Sequence, residues 1–127
     1  MKAELEEQLI AKYPELFQDK DAPPTESLMC FGCECGDGWF AIIDAACDLI
    51  SRHVKGQAEY AEFRWVQIKE KYGTLRLYSS GRYDDYTAGV IAMAERASAT
   101  TCETCGQPGK RNDEGWISTL CDTCRKA

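Results

Sequence analysis

The sequence predicts an α+β fold, with helices packed on a short antiparallel β-hairpin and a zinc ribbon or knuckle at the C-terminal end. Three observations carry that expectation. Apolar residues recur at helical spacing over 37–54 and again over 84–99. Between those stretches, two short runs alternate apolar and polar residues at strand spacing. After the second helical stretch come two Cys-x2-Cys pairs, Cys102/Cys105 and Cys121/Cys124, with 15 residues between them.

The elements follow in chain order. Residues 2–17 read as an amphipathic helix with Leu5, Leu9, Ile10, Tyr13, Leu16 and Phe17 on one side, and Pro14 as a kink or break. Residues 18–29, with Asp19-Lys20-Asp21-Ala22-Pro23-Pro24-Thr25, have loop composition. The strongest helix runs over 37–54, capped by Asp37 and ended by Gly56. Its apolar face holds Trp39, Phe40, Ile42, Ile43, Ala46, Leu49, Ile50 and Val54. Strands are expected over 63–68 and 74–79, joined by the loop Lys69–Gly73. A further helix starts at Asp84 or Asp85 and ends near Ala99, burying Tyr86, Val90, Met93, Ala94 and Ala97.

At 127 residues, 44% hydrophobic, with three Trp, four Phe and six Tyr, the chain can build one real core. Residues 1–100 read as an α+β domain, and residues 101–127 as a ribbon-like appendage packed on it. Fifteen Lys and Arg against 21 Asp and Glu give a net charge of −6. That balance disfavours broad, charge-driven binding of nucleic acid, and it suits docking on a basic protein surface.

Eight cysteines can mean disulfides or metal. The first seven residues are charged and form no apolar signal core, and no apolar run reaches the length of a membrane span. The expected compartment is therefore reducing and cytoplasmic, where paired cysteines bind metal. A Cys-x2-Cys turn presents two thiolates to one side, and two such turns complete a tetrahedron around Zn2+. Four thiolates close the coordination shell, so Cys102, Cys105, Cys121 and Cys124 predict a structural zinc. Gly106 follows Cys105, where a knuckle needs positive φ. Trp116 and Ile117 are expected to pack on the preceding helix, and Lys110 and Arg111 to be exposed.

Cys30, Cys33, Cys35 and Cys47 form a second, irregular group, with His53 the only histidine. A second metal site is one reading; buried free thiols acting as small apolar residues are the favoured one. His53 is expected to be a helix-dipole partner or a surface residue. Cys35, just before a helix start, is a conceivable nucleophile, but His53 lies about four turns along the same helix, out of reach as a base. No phosphate loop or dinucleotide fingerprint is present. Catalysis is thus a minor expectation, as a thiol-dependent enzyme using Cys35 or Cys30.

The hairpin gathers Arg64, Lys69, Lys71 and Arg76 with Tyr72 and Tyr78. Such a mixture suits a protein-binding hot spot, stacking on nucleic acid together with Lys110 and Arg111, or an ordinary wet sheet face.

Four motifs then stand in a fixed order: Lys12-Tyr13-Pro14-Glu15-Leu16-Phe17, Cys35-Gly36-Asp37-Gly38-Trp39, Gln67-x-Lys69-Glu70-Lys71-Tyr72-Gly73-x-Leu75-Arg76, and the closing cysteine pairs. Over nearly the whole chain they resemble a family of small phage and prophage proteins. Cys33 departs from that family's pattern. The family lends no activity and no catalytic residue. The resemblance implies a phage accessory protein in the host cytoplasm that binds and modulates a host protein, such as a component of antiviral defence. A nucleic-acid-binding zinc module is the alternative.

Overall fold

Pro14 sets the first boundary. In the computed structural model, which describes residues 1–127, helix α1 (Ala3–Lys12) ends at Tyr13. A residue ahead of proline is pushed out of the α region, and Tyr13 sits at φ −131°. The helix expected over 2–17 is therefore cut short. Leu16 and Phe17 still reach the core, from the turns after Pro14.

Helix α2 (Phe40–Val54) buries Ile43, Ala46, Cys47 and Ile50. It starts later than expected, after a 3-10 turn over Asp37–Trp39. Asp37 does not cap it; its carboxylate instead accepts the Lys2 backbone N–H at 2.8 Å. Leu49, assigned to the apolar face, is 44% exposed.

Strands β2 (Arg64–Lys71) and β3 (Thr74–Ser80) pair antiparallel, and the ladder runs to Lys71 opposite Thr74. The expected five-residue loop shrinks to Tyr72-Gly73, with φ of 52° and 82°. Two consecutive left-handed residues match the right-handed twist of a hairpin. Strand β1 (Cys33–Glu34) adds a parallel partner, with Cys33 opposite Ile68, so the sheet is mixed and ordered β1-β2-β3.

Helix α3 (Asp85–Ser98) is capped by Asp84, whose carboxylate accepts the Thr87 N–H at 3.3 Å. It buries Thr87, Ala94 and Ser98, with Val90 and Ile91 partly covered. Tyr86, Met93 and Ala97, expected inside, face out. The edge strand explains the rotation. The Leu75 N–H donates to Ser98 Oγ at 2.8 Å, and the Leu77 N–H to a Glu95 carboxylate oxygen at 2.9 Å. Holding those two donors turns the 95/98 side of the helix inward.

The core lies between the sheet and the helices. Trp39, Phe63, Trp65, Leu9, Leu16, Ile43, Ile50, Ile68 and Leu75 are its largest buried side chains. The Trp65 indole donates to Cys47 Sγ at 3.4 Å. No helix is long and apolar enough to cross a membrane.

Ser98→Ala strands the buried Leu75 N–H. It should lower unfolding free energy by about 1–3 kcal/mol, whereas Ala97→Ser on the exposed side should stay within about 0.5 kcal/mol. Urea denaturation measures both, and equal effects would refute this account of the α3 orientation.

Candidate metal centre and contact surface

Beyond α3 the chain has too few apolar side chains to hold itself. Strands β4 (Lys110–Arg111) and β5 (Thr119–Leu120) pair antiparallel, and helix α4 (Asp122–Lys126) closes the chain. The first Cys-x2-Cys turn closes with the Gly106 N–H on Cys102 O at 2.9 Å, and Gly106 has the anticipated positive φ, 83°. The second is a helix start: Cys121 is the N-cap of α4, and its sulfur accepts the Cys124 N–H at 3.4 Å.

These turns bring Cys102, Cys105, Cys121 and Cys124 together, with all four sulfurs within 4.8 Å of one another. Cys105 and Cys121 sulfurs stand 3.6 Å apart, and all eight cysteines are free. A tetrahedron with metal–sulfur bonds of about 2.3 Å puts its sulfurs about 3.8 Å apart, so the spacing fits a metal ion. Cys102 is buried, Cys105 is exposed, and Cys121 and Cys124 are half-buried. Burial alone would raise the Cys102 thiol. The N–H groups of Cys121, Cys105 and Thr104 outweigh it and bring it down to about 6. The neighbouring thiols Cys121 and Cys105 push Cys124 up to about 12. A cation among the four sulfurs would favour the thiolate form of its ligands.

The segment is seated on the N-terminal half by the Cys35–Trp39 motif. The Gly38 N–H donates to Glu103 O at 2.7 Å and the Gly36 N–H to the Glu103 carboxylate at 2.9 Å. The Trp39 indole donates to Thr101 O at 2.9 Å. A Cβ at Gly36 or Gly38 would collide with the backbone of Glu103 or Cys102. On the other side, Thr119 Oγ1 donates to Gly73 O at 2.6 Å, and Arg111 Nε to Tyr72 O at 2.8 Å.

Trp116, expected against the preceding helix, is 84% exposed. Its loop is held instead by Asn112, whose side chain donates to Trp116 O and accepts the Ser118 N–H. Lys110 and Arg111 are exposed, as expected.

The other cysteines do not form a ligand set; the one convergent group of metal-capable side chains is the C-terminal one. Cys30 is exposed, while Cys33, Cys35 and Cys47 are buried. Burial pushes the Cys33 thiol up to about 12 and raises Cys35 further. A thiol held protonated is a poor nucleophile. His53 bridges instead: Nε2 lies 2.7 Å from Asp84 Oδ2, and its ring stacks on Tyr86 at 4.1 Å. Sequence spacing gave no sign of this pairing, because Asp84 is 31 residues away.

Of the hairpin residues singled out, Arg64 is tied to Asp19 at 3.2 Å. The register places the others together on the outer sheet face: Lys69 opposite Arg76, Gln67 opposite Tyr78, and Lys71 opposite Thr74, with Tyr72 at the tip. Lys69, Lys71 and Arg76 form no ion pair; of the other twelve Lys and Arg, five do and seven do not. Charge is also segregated along the chain. Residues 1–62 hold 13 acidic residues against 5 Lys and Arg, and residues 63–127 hold 8 against 10.

No protein-family model, curated protein or solved structure matches the chain.

With a metal ion bound by the four sulfurs, a chelator should release residues 101–127. Hydrogen exchange should then accelerate at the amides of Cys102, Glu103 and Gly106, while Ile68 and Leu75 stay protected. Uniform loss of protection across the chain would contradict a local role. Gly38→Ala should cost about 1–3 kcal/mol by overpacking the seat, read from urea midpoints.

Asp84 is held below the ordinary carboxylate range, first by the hydrogen bond from His53, against the opposing effect of burial and with help from the Thr87 N–H. Its contribution is present above the unfolded value of about 3.9 and is lost as pH falls through the lowered folded value. Asp84→Asn should flatten that acid limb in a stability–pH profile.

Proposed function

We propose that this chain is a non-catalytic binding protein, stapled by one structural zinc ion. The observation that carries the reading is the outer sheet face, where Lys69 and Arg76 stand directly opposite each other with Lys71, Tyr72 and Tyr78 around them. Like charges facing across a strand pair destabilise a sheet. Keeping them unpaired in an acidic chain favours an acidic partner that lands on them. Tyr and Arg are residues of protein-binding hot spots.

The partner in this reading is an acidic surface of a host protein. That choice follows from the resemblance to phage and prophage proteins, and it makes the chain an accessory protein that modulates its target in the host cytoplasm. Zinc is the favoured ion because four closely spaced thiolates form a closed, soft, tetrahedral shell. Elemental analysis of native protein should find one zinc per chain.

The second reading is a nucleic-acid module. Arg111 meets the hairpin at Tyr72 O, which joins the ribbon cations to the sheet face. Unpaired cations interleaved with aromatic rings suit a single strand.

Capture from host lysate separates the two. The metal-loaded chain should retain one protein after nuclease treatment, and Lys69→Glu with Arg76→Glu should release it. Retention by the double variant at wild-type level would sink the sheet face as the contact. Loss on nuclease treatment, with affinity falling steeply as salt rises, would select nucleic acid.

A further inference from the structure

The exposed side of α3 carries a second surface, remote in role from the sheet face. Met93 is 76% exposed and Tyr86 45% exposed, and Leu49 of the packed helix α2 is 44% exposed. Tyr86, Gly89, Met93 and Ala97 follow at three- and four-residue spacing, so they share one side of the helix. Gly89 stands in the helix interior, where glycine is costly. A Cβ there would meet nothing within 4 Å, so nothing inside the molecule requires the glycine.

We propose that this face pairs with α3 of a second copy of the chain, antiparallel, about a twofold axis beside Ile91. The sequence of α3 is self-complementary about that point. Met93 of one copy stands opposite Gly89 of the other, and Ala97 lies within one residue of the position opposite Tyr86, so each large side chain meets a small one. Gly89 then has a reason: it admits the Met93 side chain of the second copy.

The flank fits as well. Asp85 and Arg96 lie side by side with this stripe, both are exposed, and neither forms an ion pair within the chain. The same axis brings Asp85 of each copy near Arg96 of the other, twice per dimer. A twofold interface requires such reciprocity, in which residue i meets j and j meets i. A parallel pair would set Asp85 against Asp85 and Met93 against Met93, and it gains neither match.

Sedimentation velocity on the metal-loaded full chain, from low to high micromolar concentration, tests this. The expected result is a concentration-dependent species of twice the 14.2 kDa chain mass. Met93→Glu and Gly89→Leu should each leave a monomer with unchanged circular dichroism, because both positions are open in the single chain. Asp85→Arg and Arg96→Asp should each weaken the dimer, and the two together should restore it. A monomer at every concentration overturns the proposal. A dimer that survives Met93→Glu also overturns it, since another surface would then be in use. Failure of the double charge exchange to restore association overturns the antiparallel register.

Discussion

The convergence of four sulfurs within 4.8 Å of one another organises the last quarter of the chain, in a shell that fits a metal ion. The β4–β5 pair is two residues long on each side, and α4 has five residues. Neither would persist on its own backbone bonds. A metal ion bound by the four sulfurs would tie both turns to one point and stiffen the backbone that the rest of the molecule meets.

That meeting takes place at two seams. Glu103 presents its carbonyl to the Gly38 N–H and its carboxylate to the Gly36 N–H, and neither glycine has a side chain to keep it away. Thr119 and Arg111 take hold of the hairpin turn at Gly73 and Tyr72. The metal segment thus grips both the entrance to α2 and the tip of the sheet. This second grip brings Arg111 beside Tyr72, next to the cations and tyrosines that the β2–β3 register places on the outer face.

Much of this was legible in the residues. The cysteine spacing named the four side chains that converge, since a Cys-x2-Cys turn is a local device. The apolar period placed α2 and α3, and strand alternation placed β2 and β3. What escaped was set by contacts between distant segments. Strand β1 has two residues and therefore no period. The rotation of α3 is decided by Ser98 and Glu95 answering the N–H groups of β3, which no pattern within 84–99 reveals. Tyr86 and Met93 looked like core because they are apolar, yet they lie outside. Trp116 was misplaced for the same reason, its loop being ordered by Asn112. The Cys35–Trp39 motif was visible as a turn, but its purpose as a seat needs Glu103, 67 residues from Gly36, to be in view.

The occupied margins of the sheet carry one more consequence. Along β3, Ser98 and Glu95 take up the N–H groups of Leu75 and Leu77. Along β2, the Leu28 N–H donates to Val66 O, and the Trp65 N–H to Leu16 O, beside the short pairing with β1. A visiting peptide therefore finds these four backbone groups already taken, which interrupts the ladder it would have to extend. A strand joining this sheet at either margin would first have to displace those bonds.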